Sequence, residues 1–481
     1  MIFLQKSRIL KSGVFLFQTL LLIFISMQCK PKTPTMNENE LELQEFQLTS
    51  EPAGHMLNQR QAFSPDDNFL VFDNRNDDSK IGENASIGII HLKTNELKTI
   101  YKLENQTVFG PGVGAASFHP SQNEVVFIHG LKNASEDHPY TFTRRFAMKV
   151  DLDNPELSGP MEARDMIAPF TKGALRGGSH AYSYSSDGAM LSFTYNDEVL
   201  EKESKSNPEV QDLRTVGALL IGEKVTIEEM QNDENFYGLS FAILLAEVKA
   251  NPKPGSDEIN KAYEECWVGN AGYKKSDGTV QKHALAYLGD VVSESGKKVT
   301  EVFLTDIPED ISSIKASVSA GSNSRLPSLP AGVKQRRLTY TADQIFPGIQ
   351  GPRQWLRSSP DGNSIYFYMK DDSGIVQIYA VSPKGGQIKQ ITKNNFSPDT
   401  AFGLSANGKY IAFGSNDAIY VVTVKDGETQ LVLPNPTDSS SQLCNINWAN
   451  SKYTLTYNRK IDFNGEAYFQ IFKLDLSTIL L

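Results

Sequence analysis

The chain has 481 residues, 40% of them hydrophobic and 22% charged, an ordinary globular composition with enough apolar material for a sizeable core. Its formal net charge is −10, and no stretch clusters Lys and Arg with interleaved aromatics, so nucleic acid is excluded as the expected partner. The length fits two or three domains, or one large domain built from repeats.

At the N-terminus Lys6, Arg8 and Lys11 precede an apolar run over residues 14–25. A basic stretch followed by a short apolar one predicts an export signal over residues 1–28. The run is shorter than the roughly 20 apolar residues that span a bilayer. Cys29 stands where a bacterial lipoprotein signal places its acylated cysteine, although Gln28 occupies a position where a small residue is usual. The expectation is an exported envelope protein, in the periplasm or at the outer membrane, held to the membrane through lipid alone. Residues 29–45 are polar and contain prolines, which suits a flexible tether. Beyond them the cysteines are Cys266 and Cys444, and the sequence leaves open whether they pair.

Residues 46–481 read as one domain carrying an internal repeat. A large apolar residue, a tight polar turn and an alternating apolar strand recur from Phe63, Phe118, Tyr184, Ser358, Leu404 and Trp448. In the clearest copy the turn is Ser359-Pro360-Asp361-Gly362. Pro presets φ, Asp bonds back to the backbone, and Gly accepts positive φ. The residues after the turn alternate with period two, the strand signal. The turns begin at Ser64, His119, Ser185, Ser359, Ser405 and Ala449. The later ones are 46 and 44 residues apart, close to the ~40–45 residues of a four-stranded propeller blade. The earlier ones are 55 and 66 apart and carry longer loops.

The gap from Ser185 to Ser359 is too long for one blade. Residues 284–307 read strand, turn, strand, a degenerate blade. Residues 223–255 read as an insertion between blades three and four, partly helical over 227–248. The expected fold is therefore an all-β propeller of seven blades, with six as the alternative. Residues 41–49 are placed to close the ring against the last blade.

This turn–strand repeat resembles the TolB-like propeller group. Longer words between the repeats resemble one family within it, the YidR-type bacterial proteins, a family of unknown function carried under a Tol-type biopolymer transporter label. Among these words are Phe109-GPGVGAASFHP, Ala174-LRGGSHAYSYSSDG, Glu265-CWVG and Phe346-PGIQGPRQWLRSSPDG. They run over roughly residues 55–425. The resemblance implies a propeller and brings no established catalytic residues.

A propeller lines its central channel with the first strand of each blade. The residues five before each turn, Gln59, Gly114, His180, Gln354, Thr400 and Cys444, form a mostly polar ring. Those three before it, Gln61, Ala116, Tyr182, Leu356, Phe402 and Ile446, form a mostly apolar one. Gln59, His180, Tyr182, Arg353 and Gln354 are the candidate ligand-binding residues. His55, His180 and Gln354 could hold a divalent ion such as Mn²⁺, Ca²⁺ or Zn²⁺, since imidazole nitrogens and amide oxygens are suitable ligands. Oligogalacturonate lyases, a related TolB-like group, offer the analogy of an axial metal held by His and Gln. The simpler alternative is a His180 that bonds backbone or water in a solvated channel. Arg144, Arg145, Arg176, Arg336, Arg337 and Arg353 could converge on an anion or pair with the abundant carboxylates.

No Gly-x-Ser-x-Gly elbow and no His-Glu-x-x-His occur, and too little chain lies beyond the last repeat for a hydrolase domain. Two readings result. One is a non-enzymatic binding or scaffold protein that holds an envelope protein or an anionic glycan. The other is a metal-dependent lyase or hydrolase acting on a uronide-containing carbohydrate from the channel.

Overall fold

The computed structural model describes residues 43–228, 232–436 and 441–480. The expected export signal, Cys29 and most of the expected tether lie outside the described residues. The strands group into seven radial sheets, each paired antiparallel, with a separate two-stranded hairpin. Blade one comprises Phe69–Asp73, Ser86–His91 and Leu97–Lys102, with residues 56–63 bridging to it as the inner edge. Blade two runs from Val113–Phe118 to Gly159–Pro160, blade three from Gly177–Tyr184 to Gly238–Leu244, and blade four from Ile259–Trp267 to Gln335–Arg337. Blades five and six start at Arg357–Ser358 and Gly403–Leu404, and blade seven at Cys444–Trp448. The expected count of seven stands.

The repeat forms blades because its turn closes itself. The hydroxyls of Ser64, Ser185, Ser359 and Ser405 donate to Asp66, Asp187, Asp361 and Asn407 at 2.6–2.8 Å. Each hydroxyl also accepts from the backbone N–H five residues on, at 2.9–3.0 Å. The fourth turn position needs positive φ, which Gly188, Gly362 and Gly408 supply at +69°, +68° and +71°. Blade one places Asp67 there, at φ 56°. That carboxylate accepts from the N–H groups of Asn450 and Ser451 at 2.7 and 2.8 Å, joining the first turn to the last.

Glu45–Gln47 closes the ring as the outermost strand of blade seven, pairing with Glu466–Asp475. The Glu45 carboxylate anchors it, accepting from Tyr457 Oη and Arg459 Nε at 2.7 Å each. Apolar clusters fill the spaces between neighbouring blades, for example Val126, Leu191, Phe193 and Leu219 between blades two and three. Burying this surface is the main stabilising term.

The degenerate blade is present as His283–Val292 and Lys298–Ile307. The region 223–255 departs from expectation, since its described residues contain no helix. Thr215–Val225 and Gly238–Leu244 are the two outer strands of blade three. The extra length lies instead in a hairpin, Tyr273–Lys274 with Val280–Gln281, and in residues 308–334 of blade four. Among the described residues the α-helices are Glu198–Ser204 and Ile311–Ser317, each capped by the aspartate before it. No helix among the described residues is long and apolar enough to cross a membrane. Cys266 and Cys444 are free thiols.

Candidate functional site: a basic mouth of the channel

The innermost strands do not run straight. Ala115, Ala181, Glu264 and Asn445 adopt positive φ of 54–62°, and each coincides with a register shift against the next strand. In blades two, three and seven this residue stands four before the turn. These are β-bulges, which interrupt the ladder and re-aim side chains. The bulges also free carbonyls for groups from other blades. Asn58 Nδ2 donates to Ala115 O at 3.3 Å. Arg60 reaches from blade one to donate to Ala181 O and, at 2.9 Å, to Glu265 O. Its guanidinium lies 5.0 Å from the centroid of the Trp355 ring.

A cavity of about 580 Å³ opens at the early end of these strands, against blades one to five. Arg145, His180, Arg214, Lys261, Glu264 and Arg353 contribute its charged and titratable rim together with two aspartates, Asp77 and Asp78. A second cavity of about 500 Å³ shares Asn58, Asp78, Arg353 and Trp355 with the first.

The charges are unevenly matched. Asp78 pairs with Arg75 at 3.2 Å and with Arg353 at 3.3 Å, and Glu264 pairs with Arg353 at 3.4 Å. Among the described residues, Arg145, Arg214 and Lys261 have no carboxylate within ion-pair distance. Arg145 contacts Tyr140 Oη at 3.2 Å, and its Nε and Nη2 are buried without a partner. Arg214 donates to Asn196 Oδ1 at 3.1 Å. Both guanidiniums flank Phe142, 5.1 and 5.5 Å from its ring centroid, and that ring is 62% exposed. Lys261 sits 4.1 Å from the centroid of Tyr263.

This crowding of cations shifts the titrations. Burial and then Arg145 lower the Arg214 guanidinium, and burial and then Arg214 lower the Lys261 ammonium. Burial, followed by Arg145, Arg214, Arg353 and Arg60, holds His180 well below the ordinary imidazole range. It is a neutral ring near pH 7, with a buried Nδ1 that has no partner. Burial pushes Glu264 up to about 7 against the pull of Arg353.

Of the residues expected at the site, Gln59, His180 and Arg353 line these cavities. Three do not. Tyr182 is buried between blades, its hydroxyl donating to Ser179 O at 2.9 Å. The amide oxygen of Gln354 accepts from Tyr368 N at 3.1 Å, stitching its own blade. His55 packs its ring against Phe72 and holds Ala53 O at 3.0 Å. Each is held by its own surroundings: Tyr182 faces the space between blades two and three, Gln354 is bonded within blade five, and His55 lies on the approach to blade one. Arg144, Arg176, Arg336 and Arg337 are taken up by Glu234, Asp197, Asp306 and Glu301 at 2.6–2.8 Å. Arg145 and Arg353 reach the cavity; Arg214 and Lys261 are not visible as site residues in the sequence.

The set His55, His180 and Gln354 is therefore not assembled. Among the described residues no group of three or more His, Cys, Asp or Glu side chains is placed to hold a metal ion. The charges nearest His180 are cations, which oppose a divalent ion and favour an anion.

The chain is 36% identical to the uncharacterized protein YidR of Escherichia coli (strain K12) over 400 residues, 82% of this chain and 90% of the relative. The chain belongs to the YidR family. Residues 112–235 match a family described as a protein of unknown function, DUF3748. In this YidR-family chain that stretch contains Phe142, Arg145, His180 and Arg214. Among solved structures, an oligogalacturonate lyase in complex with manganese is similar with a TM-score of 0.50 and 12% identity, covering 90% of this chain and 93% of that one. TolB from Acinetobacter baumannii is similar at a TM-score of 0.34 and 12% identity, covering 89% and 86%. At 12% identity the likeness to the lyase is one of fold.

Proposed function

We propose that this protein is an envelope binding propeller that captures an anionic glycan at the basic mouth, after export and attachment through Cys29. The observation that carries this reading is the convergence of Arg145, Arg214 and Lys261 on one cavity without ion-pair partners. A carboxylate, sulfate or phosphate entering there would meet donors already held in place. Charge-assisted hydrogen bonds of this kind contribute about 1.5–3 kcal/mol each. The exposed Phe142 ring, stiffened between two guanidiniums, offers an apolar face for a sugar ring beside those charges.

The test is calorimetric titration of acidic and neutral oligosaccharides into the wild type and into Arg145→Gln/Arg214→Gln. Saturable binding of an acidic member is expected, weakened by about a hundredfold in the double variant, as loss of two charged contacts implies. The same substitutions should leave stability unchanged or raise it, because they relieve repulsion between like charges. Equal binding of acidic and neutral glycans would refute the reading.

One observation favours a second reading, elimination on a uronide. His180 is neutral with a free Nδ1 among cations, so it could take the proton beside a carboxylate whose charge the arginines offset. The metal-dependent form of that reading lacks its ligands among the described residues. An ultraviolet assay for unsaturated uronides, repeated with His180→Ala, separates catalysis from binding.

A further inference from the structure

The opposite end of the channel holds a third, smaller cavity of about 230 Å³. It is lined by the later residues of the same inner strands, including Ser183, Trp267, Arg357 and Trp448. Its lining contains two arginines, Arg60 and Arg357, and no aspartate or glutamate. Among the described residues Arg60 has a single carboxylate within ion-pair distance, Glu265 at 3.6 Å. That carboxylate is itself shared with the hydroxyls of Ser192 and Thr194 at 3.2 and 3.0 Å. Among the described residues Arg357 has no carboxylate within ion-pair distance; its Nη2 and Nη1 reach the carbonyls of Gln59 at 2.8 Å and Leu356 at 3.3 Å.

Two guanidiniums side by side with one fully engaged carboxylate leave an excess positive charge beside a small cavity. Arg60 is 7% exposed, and its Nε is buried without a hydrogen-bond partner. Burial, and then Arg60, push Arg357 down to about 10, still protonated at neutral pH. Such an arrangement is unfavourable when empty of counter-charge, because a desolvated cation needs a partner. Two indoles also stand in the wall, Trp267 and Trp448, with their N–H groups already taken by Ser183 O and Gly403 O, 2.8 and 3.1 Å away.

We infer that this second mouth is a binding site for a small free oxyanion, a phosphate or a short carboxylate, gripped by Arg357 and Arg60. Planar guanidiniums match the paired oxygens of such anions. The volume admits a small solute rather than a polymer, so this site is independent of the glycan-binding mouth.

The experiment titrates inorganic phosphate, acetate and chloride separately into the purified protein, by calorimetry and, for phosphate, by phosphorus NMR. Saturable binding of phosphate or acetate is expected, with chloride much weaker. Arg357→Gln should weaken it by at least about tenfold, the effect of one charged contact. Arg357→Lys, which keeps the charge and loses the fork, should fall between the two and guards against misfolding of the first variant. Arg145→Gln separates any binding of the same anions at the larger mouth, and the Arg357-dependent phase should persist in it. Absence of saturable binding to the wild type at millimolar anion, or a response to chloride equal to that for phosphate, would overturn the inference. So would binding that is lost in Arg145→Gln and kept in Arg357→Gln, which would place the anion at the other mouth.

Discussion

Blades five and six are built almost wholly from the short repeat, whereas blades two, three and four carry long connections and irregular strands. The basic mouth draws its unpaired cations from the second group: Arg145 on blade two, Arg214 on blade three and Lys261 on blade four. The regular blades contribute mainly packing and self-closing turns, with Arg353 and Arg357 of blade five the exceptions. The irregular ones bring buried charge to the ring, and they hold it with polar networks rather than with turn chemistry. Repetition supplies the scaffold, and departures from it supply the chemistry.

The largest expected effect tests that division on the irregular side. Arg164 is 1% exposed, pairs with Glu198 and Glu234, and donates to Gly177 O at 2.6 Å. Arg164→Met would strand the buried Glu198 carboxylate beside one remaining guanidinium, Arg144 at 3.6 Å, and the exposed Lys202. Chemical denaturation should show a loss of about 3–5 kcal/mol, the usual consequence of breaking a buried pair from one side. A loss below about 1 kcal/mol would mean that the network is dispensable and that the contrast between blades is only geometric.

A smaller effect concerns pH. Glu162 lies between blades two and three, accepting from Ala147 N and Ser179 Oγ. Burial raises its carboxyl from an ordinary 4.5 to about 7. Between those values the native state binds the proton that the unfolded chain has released, so stability falls as pH rises through the window. Melting curves collected from pH 4.5 to about 7 should show a decline that Glu162→Gln flattens. An unchanged slope in the variant would assign the decline to other groups, such as Glu264 or Asp212, which burial also raises, to about 7 and about 6.

The smallest effect belongs to the regular side. Ser405→Ala removes a hydroxyl that donates to Asn407 at 2.8 Å and accepts from Tyr410 N at 3.0 Å. A loss of about 1 kcal/mol is expected from denaturation midpoints. A loss as large as that from Arg164→Met would erase the proposed distinction.

The same contrast governs how much of the molecule is legible from residues alone. Six blades are legible because their turn makes its hydrogen bonds within five residues, so the pattern is local. The inner strand of blade four is not, because Val268-Gly269-Asn270 replaces the serine turn and a hairpin comes after it. Gly238–Leu244 reads in sequence as part of an insertion. Six of its seven residues are buried, so the period-two alternation that marks a strand is missing. At the site, the bulges that shape the inner strands are not legible. A bulge is a backbone conformation, and Ala115, Ala181 and Glu264 carry no residue type that announces positive φ. Arg214 and Lys261 lie outside the repeat altogether, and only the closing of the ring brings them to Arg145.

Arg60 crosses the axis of the ring, donating to carbonyls of blades three and four and stacking on Trp355 of blade five. It lines the smaller cavity and neither of the two larger ones, so it stands on the inner side of the smaller mouth. The molecule is thus two cups set back to back rather than a pipe. On the proposed reading, each mouth captures and releases its own solute at its own opening.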